Sequence, residues 1–104
     1  MELIMFYLPC GSNEEASAII RSLLDQKLIA CGNIMPSYSI YMWHDALSED
    51  KECIAIIKTL PELLEKVQQK ILILHSYDTP AILYWTAKCN QQYYDWLKQT
   101  CKVP

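Results

Sequence analysis

The chain opens on an unbroken apolar run, "ELIMFYL" at 2–8, the pattern of a strand buried on both faces. Pro9 and Gly11 break it. A longer period follows: Ala16, Ile19, Ile20, Leu23, Leu24 and Leu28 recur at steps of three and four. One dry face and one wet face predict a helix, with Asn13 as its cap and Glu14 and Glu15 in the first turn, where the helix dipole favours acids. Over 29–43 the period falls to two. Ser39, Tyr41 and Trp43 share one face, and Tyr38, Ile40 and Met42 share the other. Neither face is polar, which predicts a strand covered on both sides. Pro36 lies within it and cannot donate to a ladder, so it belongs at a sheet edge or a bulge. "HDALSED" at 44–50 predicts a turn, and "KECIAIIKT" at 51–59 a returning strand, the two strands forming a long hairpin.

Leu60-Pro61 opens a second helix with proline in its first turn. Its buried stripe is Leu63, Leu64, Val67, Ile71 and Leu74. "HSYDTP" at 75–80 predicts a loop and "AILYWTA" at 81–87 a strand. Asn90 caps a last helix carrying Tyr93, Tyr94, Trp96 and Leu97. The order β-α-β-β-α-β with an added C-terminal helix predicts a ferredoxin-like α+β fold, two helices over one face of an antiparallel four-stranded sheet. Residues 1–104 form a single domain, with no internal repeat or linker.

Composition adds one structural expectation. With 52% hydrophobic residues, the chain carries more apolar surface than so small an interior hides, which predicts a subunit interface. The net charge of -3 and the scattering of nine Lys and Arg exclude nucleic acid, whose phosphates demand clustered cations. No segment approaches the roughly 18 apolar residues that span a bilayer, so no membrane is expected. The N-terminus has no basic segment and no small-residue cleavage site, and reads as a strand, not a signal peptide. The five cysteines are odd in number and widely spaced, which predicts reduced thiols in a cytoplasmic protein. The absence of C-x-x-C excludes a zinc ribbon or a thioredoxin-like motif.

Candidate chemistry is sparse. Cys31 and His75 flank strand ends, and a thiolate with an imidazole suits Cu(I), Cu(II) or Zn(II). The same residues also suit a small buried cysteine and a histidine capping helix carbonyls. His44 and Asp45 read as solvated turn residues, and Cys10 as a packing residue beside Gly11. No thiol has the local signature of an activated nucleophile. The single arginine, Arg21, is mid-helix, so no anion cradle is built, and no P-loop or G-x-G-x-x-G occurs. An RNA-binding sheet would need basic residues beside its aromatics. A non-enzymatic protein is expected, without an organic cofactor. Tyr41, Trp43, Tyr77, Trp85 and Trp96 either stack a ligand or pack between subunits, where tyrosine and tryptophan are enriched. The two-sided apolar hairpin favours the interface.

Taken in order, "ACGNI" at 30–34, Pro36, "SIYMW" at 39–43, Glu52, Lys58-Thr59, "HSY" at 75–77, Pro80, Ile82, Tyr94 and Trp96 resemble the CutA family, named for divalent-cation tolerance. The match runs over nearly the whole chain. The resemblance implies a cytoplasmic homotrimer of ferredoxin-like protomers whose long hairpins extend intersubunit sheets. It implies copper, or another divalent cation, held by Cys31 and His75 with Glu52 as an oxygen donor. The architecture is also similar to that of PII signalling proteins, which implies an alternative: a small-molecule effector or partner protein in clefts between subunits, with Tyr41, Trp43, Lys58, Tyr77 and Trp96 as effector or interface residues. Four positions depart from the family pattern. Gly32 replaces a branched residue, Asp45 a glycine, Ser76 a proline, and Ala81 the glutamate of a Pro-Glu-Ile motif.

Overall fold

The computed structural model describes residues 1–103. In chain order they form β1 (Glu2–Cys10), α1 (Asn13–Asp25), β2 (Cys31–Trp43), β3 (Ala46–Thr59), α2 (Leu64–Leu74), β4 (Leu83–Lys88) and α3 (Gln91–Thr100), with a 3₁₀ turn at Pro61–Leu63 leading into α2. The strands lie in the order β2-β3-β1-β4. Every neighbouring pair is antiparallel. This is the ferredoxin-like α+β arrangement with an additional C-terminal helix.

The residue that caps α1 is Ser12, one position earlier than expected: its hydroxyl accepts from the Glu15 N–H at 3.1 Å. Ala16, Ile19, Ile20 and Leu23 are then buried along one face. The helix stops at Asp25, because Lys27 turns the chain with φ 57. Leu28 therefore belongs to the following loop, although it is buried there. Its carbonyl accepts the hydroxyl of fully buried Thr59 at 2.6 Å. The core gathers Phe6, Leu8, Ala55 and Ile57 from the sheet against Ile19, Leu23, Val67 and Ile71 from α1 and α2. Burying such a side chain stabilises the fold by roughly 1.5–3 kcal/mol. α3 approaches the opposite face near one end of the sheet, where Lys58 Nζ lies 5.7 Å from the centre of the Tyr93 ring.

β2 and β3 pair without interruption from Cys31↔Lys58 to Trp43↔Ala46. Only His44 and Asp45 remain for the turn, both left-handed with φ of 50 and 61. Two positive φ values in a two-residue loop make a primed hairpin turn, whose twist suits the flanking strands. β3 consequently starts at Ala46, where a turn was expected through residue 50. The polar residues Ser48, Glu49 and Asp50 belong to an exposed ladder. Pro36 sits on the edge strand, as its missing donor requires. β1 likewise continues through Pro9 to Cys10. The hairpin makes the molecule long, 45 × 24 × 20 Å. Tyr38, Ile40, Met42, Trp43 and Leu47 along it are each more than half exposed. The cover expected for both faces of β2 is not supplied by the chain itself.

Candidate functional site

A cleft of about 640 Å³ opens between this hairpin and the loop that follows α2. Ser39, Tyr41 and Trp43, which the two-residue period places on one face, form part of its wall. The register puts Asp50 opposite Ser39 and Glu52 opposite Ser37, so both carboxylates share that face. Tyr77 and Asp78 close the cleft from the loop. The Tyr77 hydroxyl donates to Glu52 Oε2 at 2.6 Å, and the Tyr41 hydroxyl donates to Asp50 Oδ2. Burial, then the bond to Glu52, pushes the Tyr77 phenol above its ordinary range. The bond to Asp50 does the same for Tyr41. Both phenols stay protonated at neutral pH and act as donors, and each carboxylate keeps lone pairs for a further partner. Asp50, Glu52 and Asp78 face the cleft without a lysine or arginine among its lining residues. Such a concentration of one charge, focused by a concave wall, favours a cation.

The loop is held by residues behind the cleft. His75 ends α2 and is buried, its Nε2 2.8 Å from the Pro9 carbonyl. Its Nδ1 accepts from the Tyr77 N–H at 3.1 Å. A carbonyl only accepts and an N–H only donates, so the proton sits on Nε2 and the ring is neutral. Glu15 accepts from Gly11 N–H at 2.8 Å and from Ser76 N–H at 2.7 Å. Burial works to raise its carboxyl pKa, but the hydrogen bonds from Ser76 and Gly11 outweigh this and hold it below 4.5. Cys10 completes the group. Burial, followed by the neighbouring Glu15 charge, pushes its thiol up to about 12.

Ligand atoms of Cys10, Glu15 and His75 all lie within 4.8 Å of one another. Their chemistry does not fit a metal. Both ring nitrogens and both carboxylate oxygens already serve backbone groups, and the thiol is held protonated. The cluster is a brace that fixes Tyr77 at the cleft. The oxygen donors of the cleft fit a cation better, since their charge is uncompensated and their lone pairs are free.

The residues expected to act together fall into two groups. Glu52, Tyr41, Trp43 and Tyr77 meet at the cleft, with His75 directly behind. Cys31 and Lys58 are opposite each other at the far end of the β2–β3 ladder. There Cys31 Sγ is 3.9 Å from the Tyr93 hydroxyl, and Tyr93 stacks on Trp96 at 5.5 Å. Along β3 the six residues from Glu52 to Lys58, at about 3.3 Å each, separate Cys31 from Glu52 by about 20 Å. Asp50, Asp78 and Glu15 were missed. Ser12-x-x-Glu15 has capping-box spacing, which was the available signal for Glu15. Here its carboxylate reaches one residue further back, to Gly11. Asp50 and Asp78 read only as turn and loop acids until the ladder brought one of them into register.

The comparisons agree with this architecture. Residues 4–100 match the family described as CutA1 divalent ion tolerance protein. The Divalent-cation tolerance protein CutA of Pyrococcus horikoshii is 36% identical over 101 residues, covering 96% of this chain and 99% of that protein. Its counterpart from Thermus thermophilus is 34% identical over 94% of this chain and 95% of its own length. The crystal structure of CutA1 from Oryza sativa superposes with a TM-score of 0.94 at 30% identity, covering 100% of this chain and 97% of that one. Fold, strand order and near-complete sequence coverage agree, and the chain belongs to the CutA1 divalent ion tolerance family.

Proposed function

We propose that the protein is a cytoplasmic, non-enzymatic homotrimer that binds a divalent cation, copper foremost, in the cleft between the hairpin and the 75–80 loop. The observation that carries this reading is the set of three carboxylates, Asp50, Glu52 and Asp78, facing one concave space with no basic residue in its lining. Glu52 is the central ligand, held in place by Tyr77. His75 acts behind it as a positioning residue, since both of its nitrogens are engaged. Copper is favoured because Cu(II) heads the affinity order of divalent first-row ions at a given site. Bound there, the ion would supply positive charge and Lewis acidity. The chain's part is to orient the oxygen donors.

Assembly follows from the exposed apolar hairpin, whose two faces need cover from other copies. Cys31 joins the cleft's ligands only from a neighbouring subunit, given its distance from Glu52 within one chain. An anionic effector suits this cleft less well, because Lys58 stands at the far end of the ladder. Calorimetric titration of the assembled protein with Cu²⁺, Zn²⁺ and Mg²⁺ tests the reading. Glu52→Gln is expected to weaken Cu²⁺ at least tenfold, about 1.4 kcal/mol. Undiminished affinity in that variant, with loss in Cys31→Ser, would move the ion to Cys31.

A further inference from the structure

We propose that Cys10 and Cys53 form a reversible dithiol–disulfide site that takes a small-molecule disulfide as its oxidant. The register of β1 and β3 places the two residues directly opposite each other. Directly opposed residues of antiparallel strands project to the same face, so the two side chains are neighbours. The backbone fixes their spacing. The Pro9 carbonyl is taken by His75, so the polar backbone edge of Pro9 points away from β3. By alternation that of Cys10 points toward β3, which makes Cys10 and Cys53 a hydrogen-bonded pair with Cα atoms about 5.5 Å apart. That spacing lies within the range a disulfide spans. Both thiols are free. No other two cysteines are partnered in the sheet registers.

The two thiols differ in access, as attacking and resolving sulfurs must. Cys10 is fully buried. Cys53 is partly exposed and lines a shallow groove with Gly11, Ser12, Pro36, Tyr38, Lys51 and Glu52, through which a reagent reaches it. The Cys53 thiolate attacks one sulfur of R–S–S–R, the S–S bond breaks, and RS⁻ leaves with the electron pair. Cys10 sulfur then attacks Cys53 Sγ, and the mixed disulfide breaks with release of a second RS⁻. The two released thiolates take up the two protons of the cysteines. The protein is oxidised by two electrons and the small disulfide is reduced to two thiols. Burial of Cys10, which disfavours its thiolate, makes the second step the slow one. A bridge across a hydrogen-bonded strand pair departs from relaxed disulfide geometry, and such bridges are readily reduced.

The test is incubation of the full chain with oxidised glutathione under native conditions, followed by alkylation and peptide mapping without reduction. The expected product joins the Cys10 and Cys53 peptides within one chain, two hydrogens lighter than the free thiols, and reverts in reduced glutathione. Cys10→Ala is expected to stop at a glutathione adduct on Cys53. The wild-type map decides the matter without the variants. An adduct on Cys53 that never resolves, a bridge through another cysteine or between chains, or no reaction at Cys53 each overturns the proposal.

Discussion

Ile20 stands where a side chain on Gly32 would have to go: a Cβ at Gly32 would meet Ile20 Cδ1 and Cγ1 at 2.7 Å. The residue on α1 fills the volume that the edge strand leaves open. Overpacking at such a contact costs roughly 1–3 kcal/mol, so Gly32→Ala is expected to lower the urea midpoint. Gly32→Ala should cost less in an Ile20→Ala background, which removes all three of the close atoms, because contacting residues couple. A neutral Gly32→Ala, or strict additivity of the two changes, would show that helix and strand do not meet as described.

The bond from Tyr77 to Glu52 ties the loop to the hairpin across the candidate site. Tyr77→Phe is expected to cost about 0.5–1.5 kcal/mol and to loosen the loop. Alkaline titration followed by phenolate absorbance gives a second reading. A phenol whose folded pKa is raised adds stability that is complete below its unfolded value, near 10, and is lost as pH rises through the folded value. Glu52→Gln removes a charge that opposes ionisation, so the late-titrating phenol should move down.

Glu15 predicts behaviour at the other end of the pH scale. Its carboxyl is held low because the charged form accepts two backbone N–H groups. A depressed carboxyl contributes stability that is complete above the unfolded value, near 4.5, and disappears as pH falls through the folded value. Thermal midpoints measured downward from pH 5 should therefore fall less steeply in Glu15→Gln, which starts less stable. An unchanged slope would remove Glu15 from the acid transition.

Assembly predicts a mutation with effects outside its own chain. Ile40 and Trp43 are more than half exposed on opposite faces of β2. Changing either to aspartate should leave the far-ultraviolet spectrum of the protomer intact. Light scattering should show the particle falling from the mass of three chains towards that of one. A wild type already of single-chain mass would end the trimeric reading.

The sequence was most informative where burial forces a period. The α1 stripe through Ile19 and Leu23, and the alternation of Ser39, Tyr41 and Trp43, both lie on the faces their spacing assigns. It was least informative where polar residues belong to regular structure. Ser48 to Asp50 resemble a turn because an exposed arm needs no dry face, yet they form ladder pairs with β2. At the site, Glu52 and Tyr77 were legible as candidates, but their contact spans 25 residues and depends on the loop wrapping over the sheet edge. His75 shows a further limit: nothing local reveals that its partner is the carbonyl of Pro9, 66 residues earlier.

The turn at His44 and Asp45 closes a ladder whose register runs unbroken from the body to the tip. Side chains alternate along a strand, so a one-residue slip exchanges its two faces. Because the register is anchored at Cys31↔Lys58 in the body, a residue inserted at the tip would only lengthen the loop. One inserted into β2 between Pro36 and Ser39 would instead carry Ile40 and Met42 to the cleft face and Tyr41 and Trp43 to the other. What a neighbouring molecule meets at the arm is thus decided by the strand count laid down in the body, well away from the tip that displays it.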